Sequence, residues 1–163
     1  PADLDAVLFD FDGVLTDNRV YVSQDGQEMV ACNRADGLAF EWFRDIGLPA
    51  WILSTEGNPV VATRARKLRV GVRQGLADKG AELKRLVRDQ GYDPRRLMFV
   101  GNDVNDLAAM TLVRYPVAVA DAHPLVLDAA WLILQRRGGD GVAREIAERV
   151  LHLGVAAQAG AIA

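Results

Sequence analysis

Asp10 and Asp12 are the first residues in this chain whose types and spacing invite chemistry; they lie in the stretch VLFDFDGVLTD over residues 7–17. They follow a short, wholly apolar run, the pattern of a strand buried on both faces, and Gly13 interrupts it just after them. At a strand's period of two, both carboxylates leave the same face and aim at one spot. Two like charges about 4 Å apart repel by about 4 kcal/mol at an effective dielectric near 20. The pair therefore calls for a proton, a basic side chain or a hard cation. A calcium loop of the EF-hand type is excluded. Counted from Asp10, its sixth position, which should be Gly, is Leu15, and its twelfth, which should be Glu, is Tyr21.

Three more polar groups stand at the edges of apolar segments. Ser54 and Thr55 close a second buried run, Lys79 opens a helix behind Asp78, and Asp103 and Asp106 lie in GNDVND, residues 101–106, after another buried run. In a parallel sheet all carboxyl ends lie on one side, where ligands bind, so these groups are expected to converge. Several carboxylates, a hydroxyl and a lysine suit Mg²⁺-assisted phosphoryl transfer, because Mg²⁺ takes oxygen ligands from a few carboxylates and from phosphate. One Asp can serve as nucleophile and form an aspartyl-phosphate. The Asp two residues on can protonate the leaving alcohol and then activate water. The hydroxyl and the lysine supply positioning and charge to the transferring group.

The elements that must position these residues read as alternating strands and helices. Strands are expected near 7–9, 49–54, 70–72, 97–100, 117–119 and 131–134. A helix led in from Asn33 carries Leu38, Ala39, Trp42, Phe43 and Ile46 and stops at Gly47. A second is capped by Asn58 with Pro59 at its first position. A third runs from Asp78 to Gly91 with Leu83, Leu86 and Val87 inward, a short one ends at Met110, and an amphipathic one spans 142 to about 153. Residues 19–31 read as a β-hairpin with a tight turn at Asp25-Gly26 and an outward apolar face of Val20, Val22 and Met29 that would suit a partner subunit. The fold class is α/β: one doubly wound, mainly parallel, Rossmann-like sheet over residues 1–153, with this hairpin as an insertion and no cap domain. The Ala/Gly-rich tail, 154–163, is expected to be loose.

The bulk properties narrow the class. The 163 residues suit a single domain, half of them are hydrophobic, and the net charge is −3 without a basic block, so nucleic-acid binding has no support. No apolar run approaches the roughly 20 residues of a membrane span. The single Cys32 excludes an internal disulfide and fits a reducing, cytoplasmic setting. No secretory leader pattern opens the sequence, and a start at Pro1 rather than Met is expected to reflect trimming or processing.

The DxDGVLTD start, the hydroxyl after the second strand, the lysine and the G-N-D-x-N-D stretch stand in the order of the haloacid dehalogenase superfamily of phosphatases, which the chain resembles over nearly its whole length. That resemblance implies Asp10 as nucleophile, Asp12 as general acid/base, and Ser54 and Lys79 as phosphate ligands. It implies Mg²⁺ held by Asp10, the Asp12 carbonyl and Asp103, with Asp106 in support. Many relatives carry an acid where this chain has Asn102; Asp103 is preferred as ligand because Asn is the weaker ligand for Mg²⁺. The hairpin, the stretch 119–124 and the stretch 137–145 are similar to the small capless branch, which contains 3-deoxy-octulosonate 8-phosphate and nonulosonate (sialic-acid-type) 9-phosphate phosphatases and forms tetramers through the hairpin. Octulosonate enzymes usually have Thr-Gly-Arg after the second strand. Ser54-Thr55-Glu56 with a downstream lysine looks more like the nonulosonate enzymes, which makes Glu56, Arg64 and Lys67 the expected specificity residues and a phosphorylated 2-keto-3-deoxy sugar acid the expected substrate. The alternatives are the octulosonate activity, and a non-catalytic oligomerisation module associated with an acidic-sugar cytidylyltransferase.

Overall fold

The computed structural model describes residues 3–154. Six strands form one sheet: β1 (Ala6–Phe9), β4 (Ala50–Leu53), β5 (Gly71–Arg73), β6 (Leu97–Gly101), β7 (Tyr115–Ala118) and β8 (Leu132–Ile133), in the order β5-β4-β1-β6-β7-β8. Every pairing in it is parallel. The chain leaves β1 on one side to lay down β4 and β5, then returns to its other side for β6 to β8. The direction of winding therefore reverses at β1 and β6, and a crevice opens there at the strands' carboxyl ends. Phe9 lies level with Val100, so Asp10 and Gly101 leave the sheet side by side.

The central strands are buried on both faces because helices cover both. β1 and β6 are fully buried, including Phe9, Met98 and Phe99. On one face α1 (Arg34–Asp45) sets Phe40 and Phe43 against Phe9, with ring centroids 5.3 and 6.5 Å apart. The stripe expected for α1 is rotated. Ala39, Phe40 and Phe43 face the core while Leu38 and Ile46 are exposed, because Asp36 faces inward one turn earlier. α2 (Pro59–Leu68) and α3 (Lys79–Gln90) begin at the expected caps, Asn58 accepting from the Val60 N–H and Asp78 from the Ala81 N–H. α4 (Leu107–Met110) follows β6, and α5 (Pro124–Ala129) is a helix that the sequence reading missed. The last helix is shorter than expected. α6 (Val142–Glu145) widens into a π turn over Ile146–Val150 and stops short of residue 153. Of the expected loose tail, residues 155–163 lie outside the described residues.

The hairpin is present as β2 (Tyr21–Val22) and β3 (Glu28–Met29), but its register differs. A two-residue turn at Asp25-Gly26 would pair Val22 with Met29. Instead residues 23–27 form a five-residue loop, closed by the Ser23 N–H to the Gln27 carbonyl and by the Gln27 N–H to Ser23 Oγ, and Tyr21 pairs with Met29. A shift of one residue sends a side chain to the opposite face. Val20 and Val22 therefore share one side and Tyr21 and Met29 the other, all four at least half exposed at 52%, 63%, 55% and 60%. No helix among the described residues is long and apolar enough to cross a membrane.

Candidate active site

β1 delivers Asp10 to the crevice, β6 delivers Asn102 and Asp103, and the first residue of α3 delivers Lys79. Lys79 is buried and lies between two buried carboxylates, its Nζ 2.6 Å from Asp10 Oδ1 and 2.7 Å from Asp106 Oδ1. An ammonium has three N–H groups, so one remains for a ligand. Asp106 uses its other oxygen to shape the turn after β6, where Oδ2 accepts from the N–H groups of Asn102 (2.8 Å) and Asp103 (3.1 Å). Asp10 Oδ1 also accepts from the Phe11 N–H at 2.7 Å. Burial, and then the charge of Asp106, push the Asp10 carboxyl above the usual carboxylate range, against the pull of Lys79. A positive charge beside its other oxygen would favour the ionised form a nucleophile needs.

Asp10 also lines a cavity of about 270 Å³, together with Asp12, Asn18, Thr55, Asn102, Asp103, Val104 and Asn105. With its Nδ2 turned inward, Asn102 donates to the Asp12 carbonyl oxygen at 3.0 Å and to Asp10 Oδ2 at 3.1 Å. Gly13 makes room for this amide. A Cβ on Gly13 would come within 2.0 Å of the outer terminal atom of the Asn102 amide, and its φ of +80° suits glycine. Asp103 lines the same cavity, but it is exposed and its Oδ1 is bent back onto the Val104 N–H at 2.7 Å. Asn102 and Asp103 thus both border the cavity, the one buried and the other exposed. Among the described residues, no three His, Cys, Asp or Glu side chains form a ready-made metal cage.

Asp12 stands between that cavity and a second one of about 290 Å³, lined also by Arg19, Val20, Glu28, Val30, Glu56, Asn58 and Val60. Burial raises its carboxyl, and the charges of Glu56 and Glu28 add to this, with Lys79 and a hydrogen bond to Thr16 opposing. Glu56 lines this second cavity, its Oε1 accepting from the Asn58 N–H at 2.8 Å. Arg19 was not singled out from the sequence, since an arginine at the root of a hairpin carries no pattern of its own. Ser54 is buried and its Oγ accepts from the Glu56 N–H at 3.0 Å, leaving its own O–H free to donate. Its neighbour Thr55 is the hydroxyl that lines the Asp10 cavity. Arg64 and Lys67 line neither cavity. They border a separate cleft between α1 and α2 with Arg34, Glu41 and Arg44, and Arg64 Nη2 donates to the Asn33 carbonyl at 2.8 Å. One to two turns into α2, they have rotated away from Glu56 toward α1.

The glycine loop after β8 backs the loop that carries Asp12. The Gly139 N–H donates to the Val14 carbonyl at 2.9 Å, Asn33 Nδ2 donates to the Gly139 carbonyl, and Asp121 Oδ1 accepts from the Gly138 N–H. A Cβ on Gly138 would sit 2.0 Å from the Gly13 carbonyl oxygen.

Comparison with known proteins accords with this arrangement. Residues 56–146 match the model of the haloacid dehalogenase-like hydrolase family. The chain is 30% identical over 151 residues to a 3-deoxy-D-manno-octulosonate 8-phosphate phosphatase from Yersinia pestis, covering 92% of this chain and 81% of that protein. This chain belongs to the haloacid dehalogenase-like hydrolase family. Solved members share its architecture. A hydrolase of this family from Streptomyces avermitilis, described in general terms only, is 51% identical with a TM-score of 0.88, over 91% of this chain and 86% of that one. An octulosonate phosphatase from Moraxella catarrhalis, solved with magnesium, phosphate and the sugar acid, is 25% identical with a TM-score of 0.88, over 91% and 86%. The family membership and the parallel α/β fold expected from the motifs are thus borne out.

Proposed function

We propose that this chain is a Mg²⁺-dependent phosphomonoesterase that hydrolyses a phosphorylated 2-keto-3-deoxy sugar acid through an aspartyl-phosphate on Asp10. The observation that carries the reading is the buried Lys79, which grips one oxygen of Asp10, while Asp10 lines a cavity together with Asp12 and the turn after β6. This donor set fits a hard cation. The inward atom of the Asn102 amide lies 3.0 and 3.1 Å from two oxygens, and neighbouring ligands of an octahedral Mg²⁺ with bonds of about 2.0–2.1 Å are about 2.9 Å apart. Asp10, the Asp12 carbonyl and the 102–103 turn would hold it. When bound, the cation supplies positive charge that offsets the charge on the phosphoryl oxygens and on Asp10.

The residues then divide the work. An Asp10 carboxylate oxygen attacks phosphorus as the phosphorus–oxygen bond to the sugar breaks. Asp12 at the junction of the two cavities, held above the usual carboxylate range, gives its proton to the departing sugar oxygen. Asp12 then takes a proton from water as that water attacks phosphorus, which frees Asp10 and inorganic phosphate. The free N–H of Lys79 and the hydroxyls of Ser54 and Thr55 bind the phosphoryl oxygens. The second cavity receives the leaving sugar. Its acids Glu28 and Glu56 suit hydroxyls, Val20, Val30 and Val60 suit the carbon face, and Arg19 is the cation available to a sugar-acid carboxylate.

Ser54-Thr55-Glu56 favours a nonulosonate 9-phosphate. The octulosonate 8-phosphate is the second reading, favoured by the names of the curated relatives. Turnover of the two sugar phosphates by the purified protein with Mg²⁺ separates them. The complete set of Asp10, Asp12, Lys79 and Asp106 argues against a purely non-catalytic module, and phosphate release from a small aryl phosphate without any partner protein tests that point. We also infer assembly of copies, a tetramer on the pattern of the capless branch, through the hairpin's exposed Val20, Tyr21, Val22 and Met29.

A further inference from the structure

We propose that Gln74 is a positioning residue for the leaving sugar: its side-chain amide clamps the loop over residues 54–58, so that Glu56 and Asn58 stand in the second cavity. This rests on the reading of that cavity as the seat of the sugar.

The loop has no regular structure of its own. Thr55, Glu56 and Gly57 are exposed between the end of β4 and the start of α2. Side chains carried on a loop are held precisely only where neighbouring groups support it. Here the support is the turn after β5. Gln74 Nε2 donates to the Gly57 carbonyl at 3.1 Å and to the Asn58 carbonyl at 3.4 Å. The Gly75 N–H donates to the Glu56 carbonyl at 3.0 Å, and the Leu76 N–H to the Ser54 carbonyl at 3.2 Å. Residues 74–76 thus take the carbonyls of Ser54, Glu56, Gly57 and Asn58. The orientation of the Gln74 amide is forced. Turned over, it would set its oxygen against two carbonyl oxygens. As it lies, Oε1 is buried and meets no hydrogen-bond donor among the described residues. A buried acceptor without a partner is costly, so the two donated bonds are what the side chain is placed to make.

Gln74 itself lines neither cavity. Its hold reaches the sugar through Asn58, which bonds both acids of the second cavity. The Asn58 N–H donates to Glu56 Oε1 at 2.8 Å and its Nδ2 to Glu28 Oε2 at 3.0 Å. One oxygen of each acid is held and the other is left for a sugar hydroxyl. Asn58 Oδ1 accepts from the Val60 N–H at the start of α2, so the amide cannot turn over without losing that cap. The phosphoryl end is held by other means. Lys79 is fixed by Asp10 and Asp106, and the Leu76–Ser54 bond does not involve the Gln74 side chain. Removing the Gln74 amide therefore loosens the grip on the sugar and spares the phosphoryl group.

Steady-state kinetics of the full chain with Mg²⁺ test this in the wild type and Gln74→Met, which keeps the length of the side chain and removes its donors. Two substrates are compared: a small aryl phosphate, and whichever of the octulosonate and nonulosonate phosphates the wild type hydrolyses. KM for the sugar phosphate should rise about fivefold or more, the worth of about one ordinary hydrogen bond. Its kcat, and kcat/KM for the aryl phosphate, should stay within about twofold. An unchanged KM, or an equal loss on both substrates, would overturn the assignment. Gln74→Glu, which fills the same space, repeats the test should the methionine variant not fold. Amide hydrogen exchange gives a reading that needs no substrate. The Glu56 and Asn58 N–H groups should exchange about fivefold faster or more in the variant while that of Phe11 is unchanged, and wild-type rates at both would overturn the clamp. A wild type that hydrolyses aryl phosphate but neither sugar phosphate would sink the substrate reading alone, and the exchange rates would still judge this one.

Discussion

At the scale of residues, the centre is a buried row of opposite charges, Asp10–Lys79–Asp106. Such a row is weak evidence of stability, because desolvation offsets much of the attraction, but removing its middle leaves two carboxylates facing each other out of water. Lys79→Met should abolish turnover and lower unfolding free energy by about 3–5 kcal/mol, read by urea denaturation; a variant as stable as the wild type would show that the charges are not coupled. Asp36 makes a second test. It is buried in α1, accepts from the Ala143 N–H at 2.9 Å and leaves its Oδ2 without a partner. Burial pushes its carboxyl up from 3.8 to about 6, against hydrogen bonds from Arg144 and Ala143. The unfolded chain thus releases this proton first, and the residue's contribution to stability declines as pH rises from about 4 to about 6. Asp36→Asn keeps an acceptor for Ala143 and removes the titration. Urea denaturation at pH 5 and pH 7.5 should show a smaller fall with pH than in the wild type, with the variant at least as stable at pH 7.5. A variant clearly weaker at pH 7.5 would mean that the charge itself holds α6.

At the scale of elements, glycines let two loops lie closer than side chains permit. Gly139 has a φ of +77°, and a Cβ there would stand 2.5 Å from the Asp17 N–H nitrogen. Gly139→Ala should destabilise by about 1–3 kcal/mol and reduce kcat more than KM for an aryl phosphate, because it shifts the loop that carries Asp12. Equal stability and unchanged kcat would disconnect the loops. The elements also show where sequence was sufficient. Buried runs closed by polar residues identified the strand ends at Asp10, Ser54 and Asp103, and the Asn58 and Asp78 caps placed α2 and α3. The choice between Asn102 and Asp103 could not be read this way. β6 runs to Gly101, one residue past the expected strand, and a shift of a single residue exchanges the face a side chain leaves. The same sensitivity moved Met29 across the hairpin, where an odd loop replaced an even turn. Arg64 and Lys67 lie apart from both cavities of the single chain for another reason: proximity to Glu56 in sequence says nothing about which side of α2 they occupy.

At the scale of the molecule, the sheet reverses its winding beside β1, and the acids proposed as catalytic gather at that reversal, while the hairpin leaves Val20, Tyr21, Val22 and Met29 exposed. Light scattering after size exclusion should find an assembly of copies. Val22→Asp with Met29→Asp should reduce it to monomer, and a wild-type monomer would remove the hairpin's role. The central claim, that Asp10 itself attacks phosphorus, has a direct test. The full chain is mixed with an excess of aryl phosphate and Mg²⁺, quenched in acid within the first turnovers, digested at low pH and weighed by mass spectrometry. The peptide containing Asp10 should carry one phosphoryl group, which is missing in Asp10→Asn and accumulates when Asp12 is replaced by Asn. A wild-type peptide that never gains that mass, or an Asp10→Asn variant that turns over at the wild-type rate, would contradict the mechanism.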